Sequence, residues 1–114
     1  MPNFSFTYNT FTFLEEAGEV IALINIEGTA DGFGTVLGTL KVYGAGTPAG
    51  TYEMLAVSFP EQGEQVIGRG TGEWQQVAPH RWESQQTTQL STGDSIKGEG
   101  VFDLPNRTWS GSFS

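Results

Sequence analysis

A chain of 114 residues has room for one domain around one hydrophobic core. With no cysteine it has no disulfide framework, no thiolate nucleophile and no cysteine-ligated zinc. A formal net charge of -8, with only five Lys and Arg residues and those isolated from one another, excludes a phosphate-neutralising surface and so nucleic acid as a partner.

The remaining composition narrows the class. The scattered acids read as a solvated outer surface. The absence of cysteine fits a reducing compartment, and the expected location is cytoplasmic. Residues 1–6 lack the basic and apolar regions of a signal peptide, and no apolar run approaches membrane-spanning length, so no membrane partner is expected. No stretch of ten or more residues has helical period, whereas short alternating runs with glycine-rich turns recur throughout, as in all-β folds.

The first predicted strand covers residues 3–14. Phe4, Phe6 and Tyr8 share one face and Phe11 and Phe13 the other, so a bulge near Asn9 and Thr10 is expected to turn all five inward. The second covers 19–29, with Val20, Ala22, Ile24 and Ile26 inward and Ile21 and Leu23 outward. Asp31-Gly32 is a hairpin signal leading to a third strand over 34–43, where Val36, Gly38, Leu40 and Val42 face inward. In the fourth, over 51–59, an unpaired buried carboxylate at Glu53 would be costly. That places Tyr52, Met54, Ala56 and Ser58 inside and Leu55, Val57 and Phe59 outside.

The fifth strand, over 66–77, holds Gly68-Arg69-Gly70-Thr71-Gly72-Glu73-Trp74, with glycines and a tryptophan in one phase. Glycine on one face of a strand marks bending or close backbone approach. The pattern recurs at Gly98-Glu99-Gly100-Val101-Phe102 in the seventh strand, over 95–104, and at Trp109-Ser110-Gly111-Ser112-Phe113 in the eighth, over 108–114. The sixth, over 82–90, is polar even on its inner phase, where Ser84, Gln86 and Thr88 accompany Trp82 and Leu90. About eight strands with hairpin-length connections predict an all-β fold: a single closed antiparallel up-and-down β-barrel over residues 1–114.

The chemistry is sparse. His80, the only histidine, excludes a multi-histidine metal site and stands in a turn at the barrel rim, placed for acid-base work if a substrate lies there. Glu73, Glu83, Glu99 and Asp103 fall in outward phases, against paired-carboxylate hydrolysis. Aromatic, hydroxyl and amide groups share the inner faces, as in a small-molecule site. The expected ligand-binding residues are Tyr8, Tyr52, Met54, Trp74, Trp82, Gln86, Phe102 and Trp109, around a hydrophobic small molecule, with no cofactor and no metal.

The glycine-patterned strands at 68–74 and 98–104 in a short all-β chain resemble the allene oxide cyclase-like barrels. That resemblance implies a cofactor-free cyclase or isomerase acting on a polyketide- or lipid-like substrate. It carries over no catalytic residue, because no catalytic motif matches. The alternative is a non-catalytic carrier similar to lipocalins, although the lipocalin Gly-x-Trp is absent from the N-terminus. The outward Ile21, Leu23, Leu37, Leu55, Val57 and Phe59 lie on neighbouring strands, and a contiguous patch predicts a homodimer or small homo-oligomer.

Overall fold

A computed structural model describes all 114 residues. The strands are β1 (Asn3–Glu16), β2 (Glu19–Ala30), β3 (Gly34–Tyr43), β4 (Ala49–Phe59), β5 (Val66–Ala78), β6 (Arg81–Leu90), β7 (Ser95–Asp103) and β8 (Thr108–Phe113). Each pairs antiparallel with the next and β8 returns to β1, so the expected meander closes as an eight-stranded barrel. There is no helix, and so none long and apolar enough to cross a membrane.

The bulge in β1 is present. Its register against β2 shifts between Tyr8 and Thr10, which turns Tyr8 and Phe11 to the same side, with their rings 5.6 Å apart and nearly perpendicular. Phe4, Phe6, Tyr8 and Phe11 all pack in or against the core, but Phe13 is 64% exposed. The reason is strand length. β1 has 14 residues and β8 only six, and the two pair only over Asn3–Thr7. From Asn9 onward β1 has β2 on one side and no strand on the other. Closure therefore leaves one stretch of free edge at the turn-proximal half of β1.

The faces of β3 and β4 follow the sequence pattern: Val36, Leu40, Tyr52, Ala56 and Ser58 are buried, while Leu37, Leu55 and Phe59 are exposed. The second strand departs from it. Ile21, expected on the outer surface, is 2% exposed, and Val20, expected inside, is exposed. Ile21 sits between its cross-strand partners Leu14 and Tyr43. The loop after β3 folds back beside it, the Ala45 N–H donating to the Val20 carbonyl at 3.1 Å. Leu23, between Thr12 and Lys41, is half-buried.

Along its axis the barrel has two unlike halves. At the end where β1, β5 and β7 finish or turn at Ala17, His80 and Arg107, Tyr8, Leu40, Tyr52 and Trp74 fill the interior. Phe102 lies flat on Trp109 at 4.7 Å and 9°, and Tyr52 meets both rings edge-on at 88° and 89°. The other end, where β1, β3, β5 and β7 begin, is less filled. Here Phe33, in the β2–β3 turn, leans on Phe113 at 5.8 Å.

The glycine run in β5 makes this interior possible. Tyr52, Gly72 and Gln86 form one cross-strand row, as do Met54, Gly70 and Thr88. A Cβ on Gly72 would come within 2.5 Å of the Tyr52 ring, and one on Gly70 within 2.6 Å of the Gln86 amide nitrogen. Side chains from β4 and β6 thus lie over bare β5 backbone and meet above it.

Candidate ligand-binding site

The less filled half encloses a cavity of about 100 Å³ that opens at the barrel end. Its wall is mostly apolar, with Phe4, Phe6, Phe33, Val36, Ile96 and Phe113 among the lining residues. Trp109 stands between the cavity and the packed half: its ring belongs to the aromatic stack and also lines the cavity. Its indole N–H donates to Ser84 Oγ at 3.1 Å.

Gln86 organises the polar part. Its Oε1 accepts the Tyr52 hydroxyl at 2.8 Å, and its Nε2 donates to Thr88 Oγ1 at 2.6 Å and faces Met54 Sδ at 3.5 Å. The Gln86 carbonyl oxygen and both amide contacts are thereby fixed by groups on β4 and β6. Buried side-chain polar atoms are normally partnered, and this network obeys that rule. Ser58 does not. It lines the cavity at 5% exposure, and its Oγ has no hydrogen-bond partner.

The electrostatics are those of a neutral site. Burial pushes the Tyr52 phenol well above its ordinary value, opposed in part by a hydrogen bond with Ser84. Tyr8 is pushed up to about 12, again by burial, with Arg107 pulling the other way and Asp103 adding to the rise. Both phenols stay protonated near neutrality. Glu99 contributes to the wall from β7 but is an exposed residue. No three His, Asp or Glu residues gather as a metal site.

Of the residues expected to bind a ligand, Met54, Gln86 and Trp109 line the cavity. Tyr8, Tyr52, Trp74, Trp82 and Phe102 do not; they lie in or against the packed core, and Tyr52 reaches the cavity only through Gln86. Trp74 is also occupied by its neighbours, its indole N–H donating to the Thr51 carbonyl at 3.2 Å. His80 is exposed in the β5–β6 turn at the packed end, away from the cavity mouth, with a left-handed φ of 64°.

Lining residues outside the expected set include Phe33, Ser58, Thr88, Leu90, Ile96 and Phe113. The signal that finds them is distance from alternate turns. Residues a few positions from the β2–β3, β4–β5 and β6–β7 turns meet at one end of a meander, and those near the intervening turns meet at the other. No family model, curated protein or solved structure matches the chain, so the likeness to the allene oxide cyclase-like barrels rests on the glycine pattern of β5 and β7.

Proposed function

We propose that this barrel is a binding module for a small neutral molecule with an apolar body and one oxygen acceptor, held without chemical change. The observation that carries the reading is the Ser58 hydroxyl, buried, unpartnered and on the wall of an otherwise apolar cavity. A hydroxyl in that position offers its proton to a ligand carbonyl or ether, and leaving it unmade costs about 1–3 kcal/mol. Thr88 lies on the same wall with its oxygen already accepting from Gln86, which leaves its own proton to donate.

Size supports a small ligand. Drug-sized molecules occupy about 300–1,000 Å³, whereas an apolar cavity of about 150 Å³ admits benzene. A polyketide-like chain would have to project from the mouth. Binding is favoured over the cyclase or isomerase reading because the acid-base groups are badly placed to move a proton inside: Glu99, the one ionisable residue on the wall, is exposed, the buried phenols hold their protons, and His80 is at the opposite end.

The test is a titration of the ¹⁵N-labelled protein with cyclohexanone and, in parallel, with cyclohexane. Cyclohexanone should shift amides near Phe33, Ser58 and Leu90 saturably, with a Kd of about 1 mM. Ser58→Ala should weaken it about five-fold, one neutral hydrogen bond, and leave cyclohexane unchanged. Equal binding of the two probes, or shifts confined to the barrel exterior, would refute the proposal.

A further inference from the structure

Four exposed apolar side chains lie together on the outer faces of β3, β4 and β5. Leu37, Val57 and Ile67 form one cross-strand row across the three strands. Leu55 and Phe59 lie beside Val57 in the same phase of β4. Leu55 is 55% exposed, Leu37 45%, Phe59 38% and Ile67 37%. A contiguous apolar patch of this kind on a small domain marks an interaction surface.

The borders identify what covers it. On the β2 side the row continues to Glu27, opposite Leu37; on the β5 side Arg69 stands opposite Leu55. Both are exposed and neither is in an ion pair, the ion pairs of the chain being Lys41 with Glu16 and Arg81 with Asp103. The patch therefore carries an unpaired acid along one long border and an unpaired base along the other.

We propose that a second copy of the chain packs on this face, about a twofold axis lying along the strands between β3 and β4. That operation sets β3 over the partner subunit's β4, and β2 over its β5. Leu37 then meets an apolar row, and the border that carries Glu27 faces the border that carries Arg69, twice by symmetry. The apolar row itself is uncharged, so two chains of net charge -8 approach where repulsion is least. Ile67 joins the interface and Ile21, buried in its own chain, takes no part.

Light scattering on eluting protein provides the test, with wild type, Leu55→Glu, Glu27→Arg, Arg69→Glu and the double reversal. Wild type should elute at twice the monomer mass at about 10 µM, a concentration at which a micromolar interface is largely assembled. Leu55→Glu, at an exposed site, should be monomeric with an unchanged circular dichroism spectrum and a melting temperature that no longer depends on protein concentration. Each single reversal should raise the dimer Kd about ten-fold, because two attractions become repulsions, and the double reversal should restore it. A monomeric wild type at about 100 µM would overturn the proposal. So would a dimer indifferent to Leu55→Glu, or a double reversal no tighter than the singles.

Discussion

Tyr52 and Gln86 stand on strands that are not neighbours, yet the tyrosine hydroxyl donates to the glutamine Oε1 at 2.8 Å. The strand between them, β5, presents Gly72 in the same cross-strand row. Any side chain there would occupy the space in which the two meet. The bond closes the interior across one strand of the wall, and it fixes the amide that forms the polar edge of the cavity.

Gly72→Ala should therefore destabilise the barrel by about 1–3 kcal/mol, the cost of overpacking a filled interior. Its Cβ would lie 2.5 Å from the Tyr52 ring and 2.6 Å from the Gln85 carbonyl oxygen, and backbone cannot swing aside. Gly68→Ala, whose Cβ would meet only Thr88 Cγ2 at 3.2 Å and Leu90 Cδ2 at 3.7 Å, should cost under about 1 kcal/mol. Urea midpoints of the two variants give the comparison; equal losses would mean that the row above β5 is not tightly filled.

Alkaline pH should unfold the protein through its buried phenols. Burial raises Tyr8 to about 12 and Tyr52 further, while an unfolded phenol titrates near 10. The folded state thus binds more protons than the unfolded one above about pH 10, and stability falls as pH rises. The loss begins as pH passes about 10, and the Tyr8 part of it is complete only above about 12. Equilibrium unfolding at stepwise pH should show this slope, and Tyr52→Phe should flatten it by up to about 1.4 kcal/mol per pH unit. A Tyr52→Phe slope identical to wild type would place that phenol in water.

Much of this fold was readable from period-two patterning. The phase change between Tyr8 and Phe11 announced the bulge, and the charge on Glu53 was enough to turn β4 the right way, with Tyr52 inside. Position along the barrel axis was not readable in the same way. Trp74 and Trp109 share the inner phase of their strands, but only Trp109 reaches the cavity, because alternation reports the face of a strand and not its height in the barrel. Ile21 and Phe13 fail for a related reason. Their burial depends on where neighbouring strands stop and on a loop folding back, and neither is encoded within five residues of the side chain.

Ser58→Ala should leave stability unchanged or raise it by up to about 1 kcal/mol, since it removes a buried hydroxyl without a partner. Thermal unfolding of the unliganded variant against wild type checks this. A loss greater than about 1 kcal/mol would show that Ser58 is bonded within the folded chain.

The β1–β2 turn should be improvable. Ala17 has a φ of 51°, followed by Gly18 at 82°, a two-residue hairpin in which both central positions are left-handed. Alanine tolerates that region poorly and asparagine well, so Ala17→Asn should gain about 0.5–1 kcal/mol. Denaturant unfolding measures it, and a destabilised variant would mean the turn has another geometry.

The mismatch between a 14-residue β1 and a six-residue β8 sets the order in which the molecule opens. Amides of Thr10 to Glu16 that face the missing neighbour are held by no ladder, and the ribbon they form with β2 can separate locally while the aromatic interior persists. Amide hydrogen exchange there should run well ahead of β4 and β5. The same ribbon, Thr10-Phe11-Thr12-Phe13-Leu14, would template strand addition by other chains if left unguarded, and the adjoining Glu15 and Glu16 supply the repulsion that keeps it from doing so.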